Sequence, residues 1–275
     1  MYDEILYEVD DPVATITLNR PEALNAWTGT IEREVADALQ RAANDKSVVG
    51  IVVTGAGKGF CAGADMNTLQ NLSSRDAAEA GAEASDPVRS EDTEPGDFDG
   101  RFPKMMMVPK PIIAAVNGAV AGMAYPFALS CDLRVGTPNS LFVTAFAQRG
   151  LIAEWGLSWL LPKLVGPSVA LDLLMSSRRV KGQEALDLGL LNYMVEPDEL
   201  LGFCRSYIEG IAANCSPASV AVMKRQVYEE LHQGLGRAEL NAQQLMADSF
   251  KRPDFAEGVR SFVEKRPPQF DRIGD

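Results

Sequence analysis

Pro111-Ile112-Ile113-Ala114-Ala115-Val116-Asn117-Gly118-Ala119-Val120-Ala121-Gly122-Met123-Ala124 joins a short, unbroken apolar run to a glycine-rich turn. A run of this length without a polar face reads as a strand buried on both sides. The glycines after it let another group come close to the backbone, and an apolar helix then runs on to Cys131. Pro126 fixes where that helix begins. Inside a helix it would clash and remove a hydrogen bond, whereas in the first turn its missing N–H costs little. A start at Gly122–Met123 leaves the Met123 N–H without an intrahelical partner. The same pattern stands upstream: Gly50-Ile51-Val52-Val53-Thr54-Gly55 is a second buried strand, and Gly57-Lys58-Gly59-Phe60-Cys61-Ala62-Gly63-Ala64-Asp65 is a second glycine-rich turn. Two such turns can aim two N–H groups at one oxygen, which is the arrangement of an oxyanion hole. Tight turns between packed elements use glycine for the same reason, so the residues alone leave both readings open.

Working outward, Ile5 to Asn19 alternates around VATITL, with Asp10-Asp11-Pro12 as a turn, and predicts a β-hairpin. Thr28 to Asn44 carries Ile31, Val35, Leu39 and Ala42 at helical spacing. Downstream, Asp132 to Val135 and Leu141-Phe142 read as strands. Trp155 to Val165 and Ser168 to Ser176 read as helices parted by Gly166-Pro167, and Gln183 to Leu188 reads as a helix closed by Gly189. From Asp198 onward the pattern is helical. Repeated strand-then-helix units predict an α/β core over residues 1–197 and a helical C-terminal region over 198–275. Residues 71–101 are polar, acidic and alanine-rich, and predict a helix with a mobile loop, either a lid or a solvated linker. Glu79, Glu83, Asp86 and Glu91 lie in that stretch.

Composition narrows the chemistry. A formal net charge of -12 argues against general nucleic-acid binding, which needs basic surface to displace counterions. An anionic ligand would need a local basic patch on this acidic protein. Cys61, Cys131, Cys204 and Cys215 lack metal-ligand spacing and read as buried or partly buried thiols in a reducing cytoplasm. No stretch of about 18 apolar residues occurs, so no membrane span is expected, and the first residues lack the pattern of a signal peptide. The sole histidine, His232, sits in a polar stretch that reads as helical, so proton transfer falls more naturally to a carboxylate.

Several motifs in order resemble those of the crotonase (enoyl-CoA hydratase/isomerase) superfamily. They are Asn19-Arg20-Pro21-Glu22-Ala23-Leu24-Asn25-Ala26, then Gly63-Ala64-Asp65, then Lys110 to Gly118 with Gly122-Met123-Ala124 and Cys131-Asp132. Last comes Glu257-Gly258-Val259-Arg260-Ser261-Phe262-Val263-Glu264-Lys265-Arg266-Pro267-Pro268. The resemblance runs from about residue 3 to residue 270. It implies a crotonase-like (ClpP/crotonase) fold with a ββα-superhelix core and a helical C-terminal trimerisation region. It also implies an acyl-CoA thioester as substrate, with no metal or redox cofactor and coenzyme A present only as part of the substrate. The backbone N–H groups of Ala64 and Met123 would form the oxyanion hole. Arg20, Ala23, Ala62, Ala64 and Asp65 would line the coenzyme A cleft, although Asp65 also suits a helix cap. Phe262 and Lys265 would reach the coenzyme A of a neighbouring subunit in a homotrimer or dimer of trimers, and Lys265 reads equally as a surface cation. A cytoplasmic enzyme with no nucleic-acid or membrane partner is expected.

The resemblance also marks a departure. Enoyl-CoA hydratases of this family carry two catalytic glutamates, at positions occupied here by Pro126 and Phe146. The segment Arg149 to Pro162 is instead similar to the Δ3,Δ2-enoyl-CoA isomerases, with a glutamate where Glu154 stands, and to the phenylacetate-pathway ring isomerases, with an aspartate there. One carboxylate suffices to move a double bond. Glu154 lies among Leu151, Ile152, Trp155 and Trp159, and apolar neighbours raise a carboxyl's pKa. The residue also suits a helix start. Double-bond isomerisation by Glu154 is therefore expected. Hydration or acyl-CoA hydrolysis by the same carboxylate, and a non-catalytic or RNA-binding member of the superfamily, stand as alternatives.

Overall fold

The computed structural model describes residues 1–74 and 96–275. The acids Glu79, Glu83, Asp86 and Glu91, and most of the expected lid or linker, lie outside the described residues.

The chain opens with the hairpin β1 (Ile5–Asp10) and β2 (Val13–Leu18), antiparallel with Ile5 opposite Leu18. Helix α1 (Gly29–Asn44) follows, capped by the Thr28 hydroxyl, which accepts from the Ile31 N–H. Then come β3 (Gly50–Gly55), α2 (Met66–Ser73) and β4 (Ile112–Val116). Next are β5 (Ala119–Ala121), α3 (Ala124–Leu129), β6 (Leu133–Gly136) and β7 (Leu141–Val143). Helices α4 (Leu157–Val165) and α5 (Pro167–Ser176) precede β8 (Val180–Lys181), α6 (Gly182–Asp187) and β9 (Tyr193–Met194). The remainder is α7 (Leu200–Asn214), α8 (Pro217–Glu230), α9 (Leu235–Ser249) and α10 (Pro253–Glu264).

The main sheet has the order β1-β2-β3-β4-β6-β9 and is parallel after its first hairpin. Alternation along its strands divides the core into two layers. Ile16, Leu18, Ile51, Val53, Ile112, Ala114 and Val116 meet Ile31, Val35 and Leu39 of α1. Val13, Val52, Ile113, Ala115 and Val135 meet Leu200, Cys204 and Ile208 of α7. Burial on both faces explains why β3 and β4 read as unbroken apolar runs rather than alternating ones. The fit under α7 is close, since a Cβ on Gly50 would fall 2.8 Å from Ile208.

A smaller sheet, β5-β7-β8, stands apart. The sequence led straight from a turn at Gly118 into a helix, but β5 intervenes. Its three residues pair in parallel with β7, a partner that lies downstream and leaves no local signal. Pro126 does sit in the first turn of α3, and every residue of that helix is buried. A second difference concerns α4, which begins at Leu157 and not at Trp155. Trp155 (φ 55°) and Gly156 (φ 77°) are both left-handed and cannot belong to a right-handed helix. His232 lies in the turn after α8 and not within a helix, where its ring stacks on Trp159 at 4.8 Å.

The C-terminal helices are docked unevenly. Lys224 of α8 forms an ion pair with Asp132 at 2.8 Å, and the Tyr228 hydroxyl donates to the same carboxylate at 2.9 Å. Helix α9, by contrast, buries none of its residues. Among the described residues no helix is long and apolar enough to cross a membrane.

Candidate active site

The two glycine-rich turns lie against one another. The Cys61 N–H donates to the Ala119 carbonyl at 2.9 Å, and the Ala121 N–H donates back to the Cys61 carbonyl at 3.1 Å. Trp27 clamps the first turn from the other side: its N–H donates to the Gly63 carbonyl at 2.7 Å, and its carbonyl accepts from the Asp65 N–H at 3.0 Å. The Gly122 N–H is taken by the Val143 carbonyl at 3.1 Å. Among the described residues this leaves the N–H groups of Ala64 and Met123 donating to no acceptor. Gly63 is required at its position twice over. Its φ is +94°, and a Cβ there would fall 2.7 Å from the Ala121 carbonyl oxygen.

The opening motif braces the first turn. Asn25 is fully buried and left-handed at φ 56°. Its Oδ1 accepts from the Arg20 N–H at 2.9 Å, and its Nδ2 donates to the carbonyls of Ala56 at 2.9 Å and Gly59 at 2.8 Å. Asn117 works similarly from the second turn, donating to the Gly55 carbonyl at 2.9 Å. The Arg20 guanidinium donates to the Ala26 carbonyl at 2.7 Å and pairs with Asp65 at 3.1 Å and Glu4 at 3.3 Å. Asp65 caps α2, its carboxylate accepting from the Asn67 N–H at 2.9 Å. That N–H, with Arg20 beside it, holds the carboxyl below its usual range. Arg20 and Asp65, both expected along the ligand cleft, thus also fasten the turn on which Ala64 sits. Ala23 and Ala62 are half-buried nearby, in the short 3-10 turn Pro21–Ala23 and in the glycine-rich turn.

Glu154 is half-buried on the segment ahead of α4. Burial raises its carboxyl pKa, opposed by the indole N–H of Trp155, which lies near the carboxylate but completes no hydrogen bond with it. A run of aromatic contacts connects this segment to both turns. Trp155 meets Phe102 at 6.5 Å, Phe102 meets Trp27 at 5.4 Å, and Phe127 of α3 meets Phe102 at 5.6 Å and Trp27 at 4.7 Å. Pro126 and Phe146 are buried and carry no titratable group. Sequence reasoning did not single out Trp27, Phe102 or Arg101, the last with its guanidinium 4.1 Å from the Trp155 ring centroid. Trp27 adjoins the opening motif, which is a signal for it, whereas Arg101-Phe102 ends an acidic stretch with no periodicity to mark it.

Phe262 is 85% exposed on α10, and the exposed Lys265 closes that helix in a left-handed conformation at φ 54°. Cys61, Cys131 and Cys204 are buried free thiols pushed up to about 12 by burial, and Cys215 is half-buried and free. Among the described residues no three His, Cys, Asp or Glu side chains converge as a metal site requires.

Comparison with known proteins agrees with this architecture. The chain is 32% identical over 273 residues to a probable enoyl-CoA hydratase of Rhodobacter capsulatus, covering 98% of each. It is 29% identical over 278 residues to the 1,2-epoxyphenylacetyl-CoA isomerase of Escherichia coli, covering 98% of this chain and 99% of that one. A solved enoyl-CoA hydratase subunit from Geobacillus kaustophilus superposes with a TM-score of 0.86 at 28% identity, covering 98% of each chain. The fold is therefore the expected crotonase-like one. The sequence model for enoyl-CoA hydratase/isomerase matches residues 8–272, and the chain belongs to that family of acyl-CoA enzymes.

Proposed function

We propose that the protein shifts a carbon–carbon double bond in an enoyl-CoA, with Glu154 as its single acid–base group and the Ala64 and Met123 N–H groups as the oxyanion hole. The reading rests on one observation: the half-buried, pKa-raised Glu154 is joined through Trp155, Phe102 and Trp27 to the turns that carry the two unpaired N–H groups. In a 3-enoyl thioester, the Glu154 carboxylate takes a proton from C2. The negative charge passes to the thioester oxygen, where two N–H donors stabilise it. The carboxylic acid then returns the proton to C4, and the double bond comes to rest between C2 and C3 with no change in mass. A raised pKa suits a group that must both take and give a proton near neutrality.

Relatives named as hydratases support a second reading, in which Glu154 activates water. Buried Pro126 and Phe146, at the positions where hydratases of this family carry their glutamates, weigh against it. The exposed apolar groups Met223, Val227, Leu240, Met246, Phe255 and Val259 support a trimer or dimer of trimers built through the C-terminal helices.

The test uses purified protein with a 3-enoyl-CoA and, separately, a 2-enoyl-CoA, following the ultraviolet absorbance of the conjugated thioester and product mass. Conjugation gained from the 3-enoyl substrate at constant mass is the expected result. Conjugation lost from the 2-enoyl substrate with one water added establishes hydration instead, and free coenzyme A establishes hydrolysis. If neither substrate changes, isomerisation of simple enoyl chains is overturned.

A further inference from the structure

The link between Glu154 and α4 is held in a conformation that its sequence disfavours. Left-handed backbone is routine for Gly156 but not for Trp155, a bulky residue at φ 55°. Such residues persist where their surroundings over-determine them, and they gather at functional sites. Here the surroundings are specific. The Arg101 guanidinium lies over the Trp155 indole with its central carbon 4.1 Å from the ring centroid, and the Phe102 ring meets the same indole at 73°. Arg101 faces a counterion, its Nε 3.0 Å from a Glu32 carboxylate oxygen in the first turn of α1 although that N–H completes no hydrogen bond, and only 16% of the side chain is exposed. The stack also covers a polar group, because the Trp155 indole N–H is buried, lies near Glu154 and, among the described residues, is unpaired.

We infer that Arg101 is a positioning residue for Glu154. By stacking on Trp155 it fixes the left-handed turn, and with it the direction and half-burial of the carboxylate. The inference rests on the reading of Glu154 as the acid–base group. A planar guanidinium is needed, because a lysine ammonium supplies charge without a flat face to lay on the indole. Loss of the stack uncovers the carboxylate and lets its pKa fall toward the ordinary range.

The experiment compares wild type with Arg101→Met, Arg101→Lys and Glu154→Gln. Tryptophan emission is followed through an acid titration, and turnover of 3-hexenoyl-CoA is measured across the same pH range. In wild type, protonation of the carboxylate beside Trp155 gives an emission step that Glu154→Gln abolishes. In Arg101→Met the step moves to lower pH, and the acid limb of kcat/KM moves with it. There kcat falls about tenfold, within the range spanned by exposed and desolvated cation–π contacts, while KM changes little. Arg101→Lys stays close to Arg101→Met. A step and limb unmoved in folded Arg101→Met overturn the inference, even where kcat falls, because the loss is then merely structural. If Glu154→Gln keeps full turnover, the acid–base reading falls and this inference with it. If 3-hexenoyl-CoA is not turned over, the emission step still decides the positioning. Should Arg101→Met fail to fold, Glu32→Gln releases the guanidinium from its other side, and an unmoved step there overturns the inference as well.

Discussion

The guanidinium of Arg20 stands 3.1 Å from the carboxylate of Asp65, closing the opening motif onto the turn that carries Ala64. Asp65→Ala removes both this pair and the cap of α2, and is expected to cost about 1–2 kcal/mol at neutral pH. Asp65→Asn keeps a capping group and costs less. The folded carboxyl is depressed, so its contribution is present above the unfolded carboxyl pKa and is lost as pH falls through the folded one. Urea denaturation at neutral pH and again near the acid limit should therefore show the gap between wild type and Asp65→Ala narrowing, leaving only the neutral part of the cap.

Glu154→Gln is expected to lower turnover about 10²- to 10⁴-fold without unfolding the protein. Because burial raises the Glu154 carboxyl in the fold, ionisation of this group opposes folding as pH rises. The glutamine variant should thus melt at the same temperature as wild type, or slightly higher, at neutral pH. A calorimetric scan beside the rate measurement checks both halves.

Asn25 satisfies one N–H and two carbonyls from the centre of the site's frame. Asn25→Ala leaves these groups unpaired in a buried place and puts alanine in a left-handed conformation, with an expected cost of about 3 kcal/mol. Asn25→Gly, which accepts the backbone but makes no side-chain bonds, should recover a fraction of that loss. Chemical denaturation of the pair separates the two contributions.

Gly63→Ala introduces a methyl group 2.7 Å from the Ala121 carbonyl oxygen at φ +94°. The two turns must separate, and the Ala64 N–H moves relative to that of Met123. We expect a fall in kcat of about 10²-fold or more, comparable to the loss of an oxyanion donor. Ordinary binding of coenzyme A, measured by calorimetry, should be affected far less.

Parts of this architecture were plain in the residues and parts were not. The hairpin, α1, β3 and β4 follow from alternation, helical spacing and unbroken apolar runs, and each of these is a local property. Pro126 located the start of α3 for an equally local reason. Strand β5 leaves no signal in the sequence because Ala119-Val120-Ala121 acquires its identity only by pairing with β7. The sequence places Trp155 in the helix because nothing in its neighbours announces a φ above zero, whereas the fold holds it left-handed. Family resemblance names Ala64, and the placement of Pro126 singles out the Met123 N–H as well; among the described residues both N–H groups are unpaired. Arg101 over Trp155 joins segments distant in the chain, and no pattern in either one points to the other.

The Lys224 ammonium, described above as a docking contact, also donates to the backbone carbonyls of Lys110 at 3.0 Å and Met105 at 3.4 Å. Met105 belongs to the 3-10 turn Pro103–Met107, which directly follows Phe102. One buried cation therefore ties the outer helical layer to the aromatic wall beside Glu154. A change that displaces α8 therefore also loosens the turn behind Phe102, so the outer helical layer serves as a buttress for that run of aromatic rings.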